Sequence, residues 1–247
     1  MRKTVLISGG TSGIGLAAAE ILLRRDWQVV LNGRNRERGE AALRLLGGGS
    51  RRVLFLAGDI TDEAVCTALA DETAAHFGSL DGLVTAAGFY DEKLLESLTA
   101  ADIQSMFSVN VYGTIYLCRA ALPYLKRRGG AVVTVASDAA LQGNVACSLY
   151  CATKGAVLAF SRSLALEAAP HQVRVNCVCP GDVRTPLLAR QLAADPTLTE
   201  ADLASHYPLL RLAEPAEVGK AVAFLLSDDA SFITAASLPV DGGLTSW

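Results

Sequence analysis

The sequence predicts a single α/β domain in which helices cover both faces of a doubly wound parallel sheet. Short runs of β-branched and apolar residues alternate with longer amphipathic segments from one end of the chain to the other. The length of 247 residues suits one such domain better than two. Hydrophobic residues make up 51% of the chain and charged residues 19%, so the chain has enough apolar surface for a large core and disorder is excluded.

Seven segments are predicted as strands. Each is a short and continuous apolar run rather than an alternating one, which is typical of parallel strands that are buried on both faces. The predicted strands span residues 4–8, 28–31, 52–57, 82–85, 131–136, 173–178 and 237–240. Because helical segments separate them, these strands are expected to run parallel in one sheet of about seven strands.

Six helices are predicted from segments in which apolar residues recur with helical spacing. They span residues 14–25, 36–46, 62–77, 100–128, 148–168 and 215–227. The fourth ends in Lys126, Arg127 and Arg128 followed by two glycines, a pattern that favours a helix C-terminus. Residues 186–214 break the alternation, since they carry no predicted strand and repeat leucine among polar residues. Two short helices on a mobile substrate flap would explain this segment, and an ordinary pair of surface helices is the alternative.

Charge and residue distribution exclude several classes of protein. The net charge of −3, from 22 basic and 25 acidic residues, gives no reason to expect nucleic acid or an anionic membrane as a partner. No uncharged apolar run approaches the roughly 18 residues that a membrane-spanning helix needs, and the first apolar run is too short for a signal peptide. The six cysteines and three histidines lack metal-ligand spacing. No metal site is therefore predicted, and the cysteines are interpreted as reduced thiols of a cytoplasmic protein.

A glycine-rich turn, with the sequence SGGTSGIG, follows the first predicted strand. Gly9 permits a tight turn, Gly13 allows the backbone to approach a pyrophosphate, and Gly15 allows close packing of helix against strand. The helix that begins here offers free N–H groups and the positive end of its dipole to phosphates. A Rossmann-like dinucleotide site is therefore predicted. Its phosphate-binding residues are predicted to be Gly9, Thr11, Ser12, Gly13, Ile14 and Gly15.

The end of the second predicted strand indicates which dinucleotide binds. NAD sites usually place an acidic residue there, against the ribose 2′-hydroxyl, but this chain carries Arg34 and no acid before Glu37. A guanidinium can pair with the 2′-phosphate of NADP(H), although Arg34 could also be a solvated charge at a helix start. Beyond the third strand, Asp59, followed by Ile60, could accept a hydrogen bond from the adenine amino group or could cap the next helix.

Tyr150 and Lys154 are four residues apart, which places them on the same face of a helix. A phenol has a pKa of about 10, and a neighbouring ammonium favours its ionised form. Tyr150 could therefore exchange a proton with a substrate oxygen while a hydride moves to or from carbon. Ser137 lies at the end of the fifth predicted strand, where its hydroxyl could hold the same oxygen.

In these features the chain resembles the short-chain dehydrogenase/reductase family, in its compact single-domain branch. The resemblance spans essentially the whole chain. Besides the glycine-rich turn it rests on Asp59, Ala87, Gly88, Asn110, Ser137, Tyr150, Lys154, Asn176, Pro180, Gly181, Thr185, Asp241, Gly242 and Gly243.

The resemblance implies a role for most of these residues. Asn110, Ser137, Tyr150 and Lys154 would form a catalytic tetrad, in which Asn110 anchors a water molecule and Lys154 also holds the nicotinamide ribose. Further cofactor contacts would come from Ala87, Gly88, Tyr150, Lys154, Pro180, Gly181, Val183 and Thr185. A homotetramer, or a homodimer, is also implied.

Two departures from the family pattern concern the site. The usual Asn-Asn-Ala-Gly after the fourth strand is replaced here by Thr85, Ala86, Ala87 and Gly88, so side-chain amides that support the sheet are missing. Asp138 directly follows Ser137, where small or uncharged residues are more typical. We expect it to contact the substrate or to change local proton affinities.

The predicted substrate contacts are Asp138, Asn144, Cys147 and Gly181. They supply no cation, whereas a phosphate or carboxylate substrate would need arginines nearby, so a neutral and fairly apolar ketone or secondary alcohol is predicted. The expected activity is that of an NADP(H)-dependent ketoreductase with Tyr150 as the general acid and base. An NAD-dependent secondary-alcohol or dihydrodiol dehydrogenase is the alternative, and a non-catalytic dinucleotide sensor is a third possibility.

Overall fold

The structure, a computed structural model, describes residues 2–47 and 51–246. Over these residues the chain forms seven strands: β1 (Thr4–Ser8), β2 (Gln28–Gly33), β3 (Val53–Ala57), β4 (Gly82–Thr85), β5 (Ala131–Val135), β6 (Arg174–Pro180) and β7 (Ser237–Val240). All neighbouring strands pair in parallel, in the order β3-β2-β1-β4-β5-β6-β7. The predicted α/β fold, a Rossmann-like doubly wound sheet, is confirmed.

Strand β1 shows how the two faces of the sheet are covered. All its residues are buried. Val5 and Ile7 belong to one hydrophobic cluster, and Leu6 belongs to another, because successive side chains of a strand point to opposite faces. A strand that is buried on both faces needs an apolar residue at nearly every position, which explains its continuous apolar run.

The described residues also form nine α-helices. They are α1 (Gly13–Arg24), α2 (Arg36–Leu45), α3 (Glu63–Phe77), α4 (Ala100–Phe107), α5 (Gly113–Leu125), α6 (Ser148–Ala168), α7 (Pro186–Ala194), α8 (Glu200–Ser205) and α9 (Pro215–Leu226). Helices α1 and α9 contribute to the cluster of Val5, whereas α3, α5 and α6 contribute to that of Leu6. None of the helices in the described part of the chain is long and apolar enough to cross a membrane.

The prediction of one continuous helix over residues 100–128 is wrong. Helices α4 and α5 are separated by a π turn at Ser108–Tyr112, and α5 ends at Leu125. A π turn adds one residue to a helical turn, and the spacing of apolar residues does not signal such a local insertion. The turn contains Asn110, which is buried.

Residues 186–214, which we call the α7–α8 segment, contain the two short helices α7 and α8. Its leucine pattern reflects a small core, in which Leu188, Leu203, Tyr207 and Leu212 are buried together. An isolated parallel bridge between Val183 and Ala213 connects the segment to the chain that follows β6.

The order of the strands determines where a ligand can bind. Strand β1 pairs with β2 on one side and with β4 on the other, so the direction of winding reverses between β1 and β4. In open parallel sheets, ligands bind at this switch point, beyond the carboxyl ends of the strands.

Candidate active site

A cavity of about 1080 Å³ lies at the carboxyl ends of the strands. Its lining includes every residue that the sequence predicts as a cofactor or substrate contact. Three of the four predicted catalytic residues, Ser137, Tyr150 and Lys154, also line it. The fourth, Asn110, lies outside the lining. The structure therefore brings nearly all of the predicted site residues to one space, while their roles remain predictions.

The glycine-rich turn is closely packed on its inner side. Gly9 has a φ of +66°, and a Cβ atom on it would lie 2.7 Å from the Ala87 nitrogen. A Cβ atom on Gly15 would lie 2.4 Å from the Gly9 carbonyl oxygen. Ser12 is the N-cap of α1, but its side chain makes no capping hydrogen bond and the first turn carries no acidic residue. The first N–H groups of α1 are thus available to a phosphate, which fits a dinucleotide.

Thr85 at the end of β4 and Ala86 after it stand where the family pattern has Asn-Asn, and this difference has a visible consequence. The Thr85 hydroxyl oxygen is buried and is without a hydrogen-bond partner among the described residues. Ser8 links β1 to the segment after β4 instead, since its carbonyl accepts from the Ala86 N–H at 3.2 Å and its hydroxyl oxygen from the Ala87 N–H at 3.4 Å. The approach of these two chain segments is therefore maintained without the family's amides.

Arg34 and Asp59 face each other at the end of the cavity next to β2 and β3, with Arg34 Nη1 at 3.6 Å from Asp59 Oδ2. We call this the adenosine end, because a dinucleotide on the glycine-rich turn would place its adenosine here. The side chain of Arg34 is 72% exposed. Burial alone would raise the pKa of Asp59, but hydrogen bonds from Thr61 and the charge of Arg34 hold that pKa below its ordinary value. Helix α3 is capped by Asp62, whose side chain accepts from two N–H groups of the first turn, so Asp59 is free of a capping role.

Tyr150 and Lys154 project from helix α6 next to the end of β5. Lys154 Nζ lies 5.6 Å from the centre of the Tyr150 ring and donates a hydrogen bond to the Val135 carbonyl at 3.0 Å. Lys154 and Ser137 are buried, while Tyr150 is partly exposed to the cavity.

Burial governs the proton affinities of these groups. It raises the pKa of Tyr150 above its ordinary value; hydrogen bonding with Ser137 opposes this, and the charge of Asp138 adds to it. Burial also lowers the pKa of Lys154 to about 8. The sequence predicts that Lys154 favours the ionised phenol, but burial has the opposite effect on the pKa of Tyr150 and favours the neutral phenol. Tyr150 is instead held as a phenol at neutral pH, the form that a general acid needs.

Asn110 lies behind the lining of the cavity and is hydrogen-bonded to two of the segments that form it. Its amide oxygen accepts from the Phe89 N–H at 2.7 Å, and its amide nitrogen donates to the Phe89 carbonyl at 2.9 Å. The same nitrogen donates to the Thr153 hydroxyl at 3.0 Å. Asn110 thereby connects the segment after β4 to helix α6, one residue before Lys154.

Three residues at the cavity entrance escaped the sequence-based prediction. The Tyr90 ring meets the Tyr150 ring edge-on, with 4.7 Å between centres, and its hydroxyl donates to Glu92. Gln191 of α7 donates to Glu92 at 2.8 Å. Tyr90 and Glu92 belong to the segment that follows β4, and this position beyond the carboxyl end of a strand is the signal that could have identified them.

A second missed contact joins Asp182 to Tyr207. The buried Tyr207 hydroxyl donates to Asp182 Oδ2 at 2.9 Å and accepts from the Asp182 N–H at 2.6 Å. Asp182 comes directly after Gly181, beyond the end of β6, so its position was also a usable signal. No pattern in the sequence singles out Tyr207.

Comparison with known proteins identifies the family. A family model described as enoyl-(acyl carrier protein) reductase matches residues 9–245, which is nearly the whole chain. The chain belongs to the short-chain dehydrogenase/reductase family. As a short-chain dehydrogenase/reductase, it is an NAD(P)-dependent oxidoreductase.

Relatives of this short-chain dehydrogenase/reductase match it over almost its full length. Carbonyl reductase family member 4 of Xenopus laevis is 36% identical over 99% of this chain and 98% of its own. Cis-4-hydroxycyclohexanecarboxylate dehydrogenase of Sinomonas cyclohexanicum is 39% identical over 99% and 97% of the two chains. L-fucose dehydrogenase of Mus musculus is 37% identical over 98% and 88%. The solved structure of ElxO with NADP bound is 31% identical, with a TM-score of 0.94 over all of both chains.

Proposed function

We propose that this short-chain dehydrogenase/reductase is an NADP(H)-dependent ketoreductase that interconverts a ketone and a secondary alcohol. One observation carries the proposal: Ser137, Tyr150 and Lys154 line the same cavity as the glycine-rich turn and Arg34. A nicotinamide bound in this cavity would supply or accept the hydride. Among the relatives, one is named a carbonyl reductase and two are named dehydrogenases, and these names agree with such an interconversion.

In the reductive direction, the residues of this chain act on the substrate oxygen. The Ser137 hydroxyl, which donates to Asp138 Oδ1 in this structure, turns its single proton to the carbonyl oxygen and orients it. As the carbonyl carbon gains the hydride, the C=O π electrons move to the oxygen, and Tyr150 donates its phenolic proton there. The phenolate then regains a proton from solvent. Lys154 holds the nicotinamide ribose, and Asn110 fixes the helix and the loop on either side. Oxidation of the alcohol reverses these transfers.

Arg34 is the reason for proposing NADP(H) over NAD(H). Its exposed guanidinium at the adenosine end can form a charge-assisted pair with a 2′-phosphate. An NAD-dependent secondary-alcohol or dihydrodiol dehydrogenase is the second candidate. The carboxylate of Asp59, 3.6 Å from Arg34, favours this candidate because it already offsets part of the arginine charge.

Steady-state kinetics with a panel of ketones and both cofactors tests the proposal. We expect kcat/KM to be at least about tenfold higher with NADPH than with NADH, since a charge-assisted hydrogen bond contributes about 1.5–3 kcal/mol. Arg34→Ala should remove most of that preference by lowering the efficiency with NADPH. Arg36→Ala, which removes a neighbouring exposed charge outside the cavity, is the matched control. Equal or better efficiency with NADH would favour the second candidate.

We also propose that the protein assembles as a homotetramer, or as a homodimer. Ile103 on α4, Tyr112 in the π turn and Leu166 on α6 are large apolar residues with exposed side chains. Phe232, before β7, is fully exposed. An assembly that covers these residues would remove their apolar surface from water. Light scattering should give the mass of two or four chains, and the mass of a single chain at micromolar concentration would contradict the proposal.

A further inference from the structure

The end of the cavity around Tyr150 is lined by three carboxylates, those of Glu92, Asp138 and Asp182. They belong to three different connections, which follow β4, β5 and β6. Burial raises the pKa of Asp182, and the charges of Asp138 and Glu92 raise it further, so the three groups lie within electrostatic reach of one another. A substrate entering this end meets a negative potential.

Two of the cations near this end, Arg184 and Lys154, are engaged with the protein. Arg184 donates to Glu200 at 2.9 Å and to Glu214 at 2.6 Å. Lys154 is buried and hydrogen-bonded to the Val135 carbonyl. Within the described residues, the arginines that line the cavity are Arg34, Arg38 and Arg190. The first two belong to the adenosine end, and the third is exposed on α7.

Asp138 is directly connected to the predicted chemistry. Its Oδ1 accepts a hydrogen bond from the Ser137 hydroxyl at 2.7 Å. Its Oδ2 lies 3.3 Å from Gln142 Nε2 and 3.5 Å from Asn144 Nδ2. Two oxygens on adjacent carbons are separated by about the length of a hydrogen bond. If Ser137 holds the reacting oxygen, the neighbouring oxygen of the same substrate can therefore reach the Asp138 carboxylate.

We propose that Asp138 selects substrates that carry a hydroxyl on the carbon next to the reacting carbon, and that its carboxylate accepts a hydrogen bond from that hydroxyl. The inference rests on the proposed ketoreductase function and narrows its substrates to vicinal diols and α-hydroxy ketones. A carboxylate in the same place would be repelled by Asp138 and its acidic neighbours. An ammonium would be attracted by the same carboxylates, but it would have to lose its strong hydration in the cavity and would add a second cation to the buried Lys154, whose Nζ lies 5.6 Å from the centre of the Tyr150 ring.

A series of cyclohexanols that differ only at the neighbouring carbon tests this selection. The series comprises cyclohexanol, cis- and trans-1,2-cyclohexanediol, 2-aminocyclohexanol and 2-hydroxycyclohexanecarboxylate, each assayed for oxidation with both cofactors. We expect kcat/KM for the better diol to exceed that for cyclohexanol roughly 10- to 100-fold, the range of a hydrogen bond to a charged group. The amine and the carboxylate should both be poorer substrates than the diol.

Two variants connect this preference to Asp138. Asp138→Asn keeps an acceptor oxygen for Ser137 but loses the charge, and it should reduce the diol-to-cyclohexanol ratio to within about threefold. The ratio is informative because cyclohexanol has no neighbouring hydroxyl. Its kcat/KM therefore measures any effect of the substitution on Ser137 and Tyr150 in the same variant. Asp229→Asn removes an exposed carboxylate outside the cavity, and its ratio should equal that of the wild type.

The possible outcomes separate this inference from the proposed function. The role of Asp138 would be overturned if the diol-to-cyclohexanol ratio were unchanged in Asp138→Asn. It would also be overturned if the wild type preferred cyclohexanol, the amine or the carboxylate over both diols. Neither result would contradict the proposed ketoreductase function. Turnover of no member with either cofactor would instead contradict the proposed oxidation of secondary alcohols. The wild-type series decides the substrate class even where Asp138→Asn does not fold.

Discussion

The two ends of the cavity are built in different ways. At the glycine-rich end, where we propose that the cofactor binds and which we call the cofactor end, the backbone forms the surface, because Gly9 and Gly15 leave no room for a Cβ atom and α1 offers its N–H groups. At the end around Tyr150, which we call the substrate end, side chains from separate segments of the chain meet. For example, Gln191 of α7 donates a hydrogen bond to Glu92, which follows β4. A steric fit between backbone atoms tolerates no added side-chain atom, whereas a few polar side-chain contacts can be exchanged singly. Substrate choice can therefore vary on this scaffold while the cofactor site stays the same.

Tyr150→Phe should produce the largest loss, and it should be confined to the substrate end. Without the phenolic proton, kcat should fall about 10²- to 10⁴-fold, the range for a lost general acid. The Kd for NADPH, measured by fluorescence titration, should change less than about threefold, since the hydroxyl contributes little more than one hydrogen bond to binding. Tyr116→Phe on α5 is the control and should retain wild-type kcat. Full turnover by Tyr150→Phe on a verified substrate would refute the assignment of the general acid.

Gly15→Ala should act at the cofactor end instead. Its new Cβ atom would lie 2.4 Å from the Gly9 carbonyl oxygen, so the turn and α1 must move apart. We expect the Kd for NADPH to rise about 10- to 100-fold and the free energy of unfolding to fall by about 1–3 kcal/mol. Gly143→Ala is the control, because a Cβ atom there meets nothing within 4 Å. Wild-type cofactor binding by Gly15→Ala would show that the turn tolerates displacement.

The close packing of the glycine-rich turn was predictable because its requirements are local. Gly9 and Gly15 are needed for the path of the backbone itself, so their spacing after a strand carries the information. The strands were predictable for a similar reason, since burial on both faces demands an uninterrupted apolar run. The π turn around Asn110 was not, because a single extra residue leaves the apolar spacing of α4 and α5 almost unchanged.

The substrate end was predicted only in part because its contacts are long-range. Ser137 and Tyr150 carry recognisable chemistry, but Tyr90 and Gln191 are 101 residues apart in sequence and lie 3.4 Å apart in the structure, hydroxyl oxygen to amide nitrogen. Nothing local marks either residue as a partner of the other. The proton affinity of Tyr150 was also missed, since it depends on burial by several segments.

The pH dependence of kcat/KM for reduction should reveal the charge of Lys154, which is buried between the two ends of the cavity. Because burial lowers the pKa of Lys154 to about 8, its ammonium, which is present below that pH, is lost as the pH rises through it. The value of kcat/KM for NADPH should therefore be level below about pH 7 and should fall above pH 8 by up to about tenfold per pH unit. The raised pKa of Tyr150 keeps its proton in place over this range.

Lys154→Arg distinguishes the loss of the Lys154 charge from a general effect of high pH on the enzyme. An arginine stays charged throughout, so the fall near pH 8 should disappear even where the absolute rate is lower. Lys220→Arg on α9, an exposed position, should keep the wild-type profile. A wild-type kcat/KM that stays level to pH 9.5 would contradict a lowered pKa of Lys154 as the cause of pH dependence.

The smallest expected effect comes from the contact that closes the substrate end. Gln191→Ala removes the hydrogen bond to Glu92, at 2.8 Å, and the approach to the Tyr90 hydroxyl. A hydrogen bond of this kind contributes about 0.5–1.5 kcal/mol, so KM for the ketone should rise about 2- to 10-fold. The Kd for NADPH should stay the same, because the change is confined to α7.

Gln104→Ala, on the exposed face of α4, is the matched control for this change. A parallel rise in KM and in the cofactor Kd of Gln191→Ala would show that the two ends respond together. An unchanged Kd with a raised KM would instead show that the substrate end responds on its own, since only the contacts of one side chain have been removed.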